Sequence, residues 1–181
     1  MMPNFLVRVG RLVLPVLMVV WSSATAAAPA RTVILVRHAE RAGGMSADVG
    51  ISEAGRCRAE LLAKMLADAG VNRIYTSEAA RTQQTAEPLA KKLKILPEIV
   101  PSKDIDGLVS RLRTGAPDGA ALVIGHSNTL PEIIRQMGGG SVTPIGDGEY
   151  DRLFIVSLID QNQATVITLH YAGCAPGGLG R

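Results

Sequence analysis

Short apolar runs alternate with segments of helical periodicity along most of the chain. Val33–Val36 is an unbroken run of aliphatic residues, and the run AALVIGH, which ends at His126, repeats the pattern. Runs of this kind are typical of strands that are buried on both faces of a parallel sheet. Between them, apolar residues recur every three or four positions. The pattern predicts strands that alternate with helices, and therefore a sheet covered on both faces.

Capping residues and turns divide the helical segments. Ser52 and Ser77 stand where a helix N-cap is expected, and Gly70 stands where a helix stops. Two late apolar runs around the turn IDQNQ predict a hairpin. The predicted fold class is α/β: a three-layer sandwich with a mainly parallel central sheet flanked by helices, and an edge hairpin near the C-terminus. The predicted strands are 33–36, 71–77, 96–100, 120–126, 152–158 and 164–173, and the predicted helices are 52–70, 78–93, 104–113 (starting at Asp104 or Asp106) and 129–137.

The first thirty residues follow a separate pattern. Two arginines precede an apolar run from Leu12 to Trp21, and the small residues SSATAAAPA follow it. A basic start, an apolar core of about ten residues and an Ala-x-Ala exit are typical of a secretory signal peptide. We expect residues 1–28 to be this signal, cleaved after Ala26 or Ala28, and residues 29–181 to form one domain. The alternative is an uncleaved anchor, although a bilayer span needs roughly 20 apolar residues.

Composition and charge limit the kinds of molecule that the protein is expected to bind. The chain has a net charge of +3, and the predicted signal carries two arginines and no acidic residue, so the domain itself has a charge of +1. This small excess, with few aromatic residues, gives no indication of a nucleic-acid partner. We expect a periplasmic or secreted protein with no stable membrane insertion after signal cleavage. No feature of the sequence indicates an oligomeric state.

The two cysteines of the chain leave two possibilities. An exported protein could join Cys57 to Cys174 in a disulfide. Cys57 falls in a predicted helix and Cys174 in a tail rich in glycine and proline. We therefore expect free thiols, with the disulfide as the alternative.

Basic and imidazole side chains stand at the ends of predicted strands. Arg37 and His38 follow the first strand directly, and His126 ends a later one. The carboxyl ends of parallel strands meet at one edge of a sheet, where open α/β sheets bind ligands. Arg81, shortly after another strand, would join them. Because arginines bind phosphate oxygens bidentately and an imidazole can act as a nucleophile, the sequence predicts a phosphate pocket with an attacking histidine.

Each of these residues also has a purely structural explanation. Arg37 could form a surface ion pair at the sheet edge, and His38 and His126 could be hydrogen-bonded core residues. Arg81 could be a solvated helix residue that pairs with a nearby glutamate. The coincidence of all four favours the pocket. His170, at the end of the last strand, is assigned a structural role. The sequence has no closely spaced pair of histidines, so we expect no metal site.

Three motifs in order resemble the histidine phosphatase superfamily, also called the phosphoglycerate mutase-like family. They are RHAE after the first strand, YTSEAARTQQTA some forty residues later, and GHSN after another strand. The resemblance covers Thr32 to Tyr171. Because this chain has no large insertion between the motifs, it is most similar to the short phosphohistidine and small-molecule phosphatases of the family. It implies that His38 is the nucleophile and that Arg37 and Arg81 hold the phosphate. It also implies that His126 binds phosphate and stabilises charge during transfer, with no cofactor or metal.

The general acid stays open under this resemblance. Many members of the family use a carboxylic acid contributed between the second arginine and the second histidine, or directly after that histidine. Here Ser127 follows His126. Short phosphohistidine phosphatases work without such an acid, because an imidazole leaving group needs less help than an alkoxide. The unassigned candidates are Glu40, Asp104, Asp106 and Glu149, of which the two aspartates could equally be helix N-caps.

The resemblance implies an exported phosphatase that acts on a small phosphorylated substrate. It would hydrolyse a phosphomonoester or a phosphoramidate through a phosphohistidine on His38. One alternative is a non-catalytic domain that binds phosphorylated ligands. The other is a phosphotransferase of the phosphoglycerate mutase type, which the short loops disfavour because a mutase must shield its phosphoenzyme from water.

Overall fold

A computed structural model of the protein describes residues 31–44, 48–114, 119–160, 162–171 and 173. The predicted signal peptide, 1–28, lies outside these residues and stays a prediction. Within the described ranges, every helix is too short or too polar to cross a lipid bilayer.

Among the residues that the structure describes, one six-stranded sheet forms the middle layer of the fold. Its strands are β1 (Arg31–Arg37), β2 (Val71–Thr76), β3 (Glu98–Ile99), β4 (Ala120–Gly125), β5 (Arg152–Leu158) and β6 (Ala164–His170). Their order across the sheet is β3-β2-β4-β1-β5-β6. The pairs β1–β4, β2–β4 and β2–β3 are parallel, whereas β5 is antiparallel to both β1 and β6. The predicted mainly parallel sheet with an edge hairpin is confirmed.

In the described ranges, four helices cover the two faces of the sheet. They are α1 (Glu53–Leu66), α2 (Ala80–Leu93), α3 (Ile105–Thr114) and α4 (Thr129–Gln136). Along β1, Val33 and Leu35 pack into the core under α3 and α4, and Ile34 and Val36 pack into the core under α1 and α2. All four are almost fully buried. Burial on both faces is the reason that this strand is uninterrupted by polar residues, and the three-layer prediction is confirmed.

The helix starts differ from the predicted ones at one informative position. Ser52 caps α1 as expected, because its Oγ accepts a hydrogen bond from the Gly55 backbone N at 3.1 Å. Asp104 precedes α3 and accepts from the Gly107 backbone N at 3.0 Å, which decides between the two aspartates. The prediction that Ser77 caps α2 is wrong: the N-cap is Ala79, because the Ser77 hydroxyl is engaged at the sheet edge.

The expectation of free thiols is also wrong for Cys57, which is disulfide-bonded. Cys174 lies outside the described residues. Cys57 can form a disulfide because the chain after β6 returns to α1. The Tyr171 ring centroid lies 5.2 Å from Cζ of Arg58, the residue next to Cys57. The position of Cys57 in a helix therefore does not prevent its sulfur from meeting a distant part of the chain, as the expectation of free thiols assumed.

The parallel strands end in register at one edge of the sheet. Arg37 of β1 pairs with Gly125 of β4, and Thr76 of β2 pairs with Ile124. The His38 backbone N continues the ladder by donating to the Gly125 oxygen at 3.0 Å. Residues directly after these strands are consequently brought together.

Gly55 lies where α1 touches the segment after β1. A Cβ at this position would stand 2.3 Å from the Glu40 backbone oxygen, which is itself fixed by a 2.7 Å hydrogen bond from the Ser52 backbone N. We expect Gly55→Ala to lower the free energy of unfolding by about 1–3 kcal/mol through this overlap, although alanine is the better helix former.

Urea denaturation measures this difference. Gly43→Ala is the control, since a Cβ there meets nothing within 4 Å, and it should change the free energy of unfolding by less than about 0.5 kcal/mol. A Gly55→Ala protein as stable as the parent would contradict the packing argument.

Candidate active site

His38 is held at the sheet edge in a single tautomer. The residue is only 5% exposed, and its Nδ1 lies 2.9 Å from the Ala39 backbone oxygen. A carbonyl oxygen can only accept a hydrogen bond, so Nδ1 carries the proton of the neutral ring. The lone pair is consequently on Nε2, the nitrogen that is available for nucleophilic attack.

The surroundings of His38 also keep its ring neutral. Burial lowers its pKa from 6.5 to about 4. The Ala39 carbonyl opposes this shift, and the nearby charges of His126, Arg81 and Arg37 add to it. At neutral pH the ring is therefore uncharged, although two guanidinium groups lie nearby.

His126 faces His38 across the pocket. The two ring centroids lie 5.4 Å apart at an angle of 64°. Nδ1 of His126 lies 3.4 Å from Nη2 of Arg81, and Nε2 lies 3.0 Å from the Ser77 Oγ. Since a guanidinium only donates, Nδ1 accepts and Nε2–H donates to the serine. Burial, followed by the charge of Arg81, lowers the pKa of His126.

Buried hydroxyl groups connect α2 to this edge. Thr85 Oγ1 accepts from the Ala39 backbone N at 3.0 Å and donates to the Arg81 carbonyl at 2.7 Å. The Ser77 Oγ contacts Thr82 Oγ1 at 3.0 Å. These bonds fix the first turn of α2, and therefore Arg81, relative to the segment after β1.

Arg37 is held by hydrogen bonds at one of its nitrogens and has an unpartnered nitrogen at another. It is 7% exposed, and its Nη1 donates to the carbonyls of Gly146, Asp147 and Glu149 at 2.7 to 2.9 Å. The Tyr150 ring centroid lies 4.2 Å from Cζ. Nε, by contrast, is buried with no hydrogen-bond partner among the described residues. An anion bound at this edge of the guanidinium would satisfy it.

The structure thus brings together Arg37, His38, Arg81 and His126. The two guanidinium groups and the two imidazole rings lie close together at this edge of the sheet. This is the inventory that binds a tetrahedral dianion and transfers its phosphoryl group. In the part of the chain that the structure describes, no group of three or more histidine, cysteine or carboxylate side chains could hold a metal ion.

Two of the four candidate acids are occupied by arginines. Arg58 Nε lies 2.9 Å from both carboxylate oxygens of Glu40. Burial raises the pKa of Glu40, but the hydrogen bonds and charge of Arg58 outweigh it and hold this pKa below its usual range. Arg152 contacts both oxygens of Glu149 at 2.8 Å and is the main cause of its lowered pKa. Neither carboxylate is suited to donate a proton near neutral pH.

The two aspartates differ in position. Asp106 is exposed and accepts a hydrogen bond from Gln136 at 2.9 Å, on the side of α3 that meets α4. Asp104 caps α3 and lines a small cleft that also borders Ser77, Ser102 and His126. The general acid stays unassigned, and Asp104 is the candidate that lines a cleft together with His126.

Sequence reasoning missed several residues that shape the site. Ser77 and Thr85 lie in the same motif as Arg81, but a hydroxyl has no periodic signal, and a serine before a helix is first interpreted as a cap. The spacing of Arg81 and Thr85 is the signal that was available, since a threonine often donates to the carbonyl four residues earlier in a helix. Tyr150 lies in a loop without periodicity.

Comparisons with known proteins agree with the motif analysis. The model of the histidine phosphatase superfamily (branch 1) matches residues 33–107. The matched range contains Arg37, His38 and Arg81, whereas His126 lies beyond it. No curated protein sequence matches the chain significantly.

Solved structures share the fold. The protein histidine phosphatase SixA complexed with tungstate is 20% identical, with a TM-score of 0.66 over 77% of this chain and 96% of that one. The alpha-ribazole phosphatase from Shigella flexneri is 17% identical, with a TM-score of 0.63 over 77% and 96%. A mycobacterial glucosyl-3-phosphoglycerate phosphatase is 14% identical, with a TM-score of 0.58 over 78% and 98%. Identities this low show the fold and leave the substrate open.

The family model and the shared fold point to the same group of proteins. The resemblance predicted from the sequence is therefore confirmed: the chain matches the histidine phosphatase superfamily, branch 1, over residues 33–107, and it has the fold of solved phosphatases that include a SixA.

Proposed function

We propose that the protein is a phosphatase that hydrolyses a small phosphomonoester or phosphoramidate in two steps, through a phosphohistidine on His38. The observation that carries this proposal is the neutral, buried His38 ring, which holds its proton on Nδ1 and lies near His126 and two arginines. An imidazole that held a purely structural position in the core would not need this arrangement of cations.

In the first step, the unpartnered Nε edge of Arg37 and the guanidinium of Arg81 bind the phosphoryl oxygens. Nε2 of His38 attacks phosphorus, and the bond from phosphorus to the leaving oxygen or nitrogen breaks with its electron pair on the leaving group. That group takes a proton from water or from an acid of the site. Phosphoryl transfer depends mainly on positioning and charge stabilisation, which the arginines supply.

In the second step, a water molecule attacks the phosphohistidine, and inorganic phosphate is released. His38 regains its free Nε2. His126 keeps Arg81 at the pocket and is close enough to contact a phosphoryl group on the nucleophile. Because the positive charge comes from guanidinium groups, the proposal includes no metal ion.

The proposal also includes export to the periplasm or the medium. The amino-terminal pattern of residues 1–28 supports it, and so does the disulfide at Cys57, since disulfides persist mainly in oxidising compartments. Export would separate the protein from cytoplasmic phosphate relays and favours an extracytoplasmic phosphoester as substrate.

Replacement of the nucleophile tests the central step. We expect His38→Ala to lower turnover of a chromogenic phosphate monoester by roughly 10³-fold or more, because no other group takes its place. The parent, quenched during turnover with a labelled phosphodonor, should carry acid-labile, alkali-stable label that the variant lacks. His170→Ala is the matched control, since His170 is exposed and pairs with Asp151. Label that survives in His38→Ala would refute the assignment.

Removal of the second arginine tests the phosphate site. We expect Arg81→Ala to reduce kcat/KM by roughly 10²- to 10³-fold, as for the loss of a donor that stabilises developing charge. Binding of inorganic phosphate, measured as product inhibition, should weaken in parallel. Arg73→Ala, an exposed arginine of β2, should leave both unchanged. Equal kinetics for the two variants would place Arg81 outside the site.

The pH dependence of kcat/KM tests the protonation state of His38. Only the neutral ring is a nucleophile, so activity should be lost as the pH falls through the pKa of this group. Since burial lowers that pKa to about 4, the acidic limb of the free enzyme should lie near pH 4, after correction for ionisation of the substrate. An acidic limb near pH 6.5 that remains after this correction would show that the pKa of His38 is not lowered.

A further inference from the structure

The carbonyl that orients His38 belongs to the peptide group between Ala39 and Glu40. Its oxygen accepts the Nδ1–H of His38 at 2.9 Å, and this bond decides which ring nitrogen carries the lone pair. A neutral imidazole in water can carry its proton on either nitrogen. Whatever fixes this one peptide group therefore fixes the reactive tautomer.

The backbone around this peptide is held from both sides. The Ala39 backbone N donates to Thr85 Oγ1 at 3.0 Å. The Glu40 carbonyl accepts from the Ser52 backbone N at 2.7 Å. Both partners lie on the helical layer that covers this face of the sheet, so the peptide is tied to α1 and α2 rather than to the substrate pocket.

The Glu40 side chain adds the strongest of these ties. Arg58 of α1 donates from Nε to both oxygens at 2.9 Å and from Nη2 to Oε1 at 2.7 Å. The side chain of Arg58 is 7% exposed and that of Glu40 is 24% exposed. Tyr171, directly after β6, contacts the guanidinium, with its ring centroid 5.2 Å from Cζ. A buried fork of this kind allows few orientations of either partner.

We propose that Arg58 and Glu40 are positioning residues for phosphoryl transfer: the ion pair fixes the Ala39–Glu40 peptide group, and this peptide holds His38 in the tautomer with a free Nε2. Neither residue contacts the reacting atoms. The pair acts through the backbone, so it affects the reactivity of the nucleophile and leaves the two phosphate-binding arginines in place. The kinetic part of this inference rests on the proposed function, and the tautomer part does not.

Arg58→Lys is the first test, because lysine keeps the positive charge and cannot form the fork. Removal of the charge would instead leave a partly buried carboxylate without its partner. We expect Arg58→Lys to lower kcat roughly 10- to 100-fold, as for a misplaced catalytic group. KM should change less than about threefold, since phosphate binding uses other residues.

The second measurement is independent of turnover. In the parent at pH 7, ¹⁵N NMR of labelled histidine should show the His38 proton on Nδ1 alone. In Arg58→Lys it should show a mixture of both tautomers. Arg135→Lys is the matched control, since Arg135 forms the same kind of fork with Glu132 on the exposed surface of α4. It should match the parent in both measurements.

Glu40→Gln provides a second variant if Arg58→Lys does not fold. It keeps the length of the side chain and removes the charge that pairs with Arg58. Glu40→Gln should show mixed tautomers at His38, and a single Nδ1–H form in this variant would overturn the positioning role.

The outcomes separate the two proposals. A folded Arg58→Lys protein with parental kcat and an unchanged His38 tautomer would overturn the positioning role. A parent without any turnover would overturn the proposed function, while the tautomer measurement would still decide the positioning role. A fall in kcat with no change in the His38 tautomer would also overturn the positioning role, since the ion pair would then act on kcat by another route.

Discussion

The chemistry of this site depends on keeping an imidazole uncharged beside two permanent cations. Burial and the neighbouring guanidinium groups both disfavour a second proton on His38. A carbonyl at Nδ1 then leaves only one nitrogen for the lone pair. In the proposed mechanism, the same positive field therefore binds the phosphate dianion and keeps the attacking ring unprotonated, so one arrangement serves both purposes.

The fold supplies this arrangement through the ends of its parallel strands. β1 and β4 run side by side in register, so Arg37, His38 and His126 follow one another around the same edge. α2 adds Arg81 because its first turn is bonded to the backbone after β1. The polar site is consequently assembled at the ends of buried strands, where backbone hydrogen bonds hold the chain.

The sequence predicted those parts that depend on periodicity and strand ends. The buried runs of β1 and β4 placed Arg37, His38 and His126, and the motif around Arg81 placed the fourth residue. The rest depends on contacts between distant segments that no local pattern encodes. Examples are the Glu40–Arg58 pair, the three carbonyls that hold Arg37, and the use of Ser77 as a partner of His126 rather than as a helix cap.

The three carbonyls around Arg37 have a consequence for ligand affinity. A long, flexible side chain ordinarily loses conformational entropy when it closes on an anion. Here the loop between α4 and β5 has already restricted the guanidinium in the free protein. An incoming oxyanion therefore meets a donor that is ordered in advance, and the entropic loss is taken at folding rather than at each encounter.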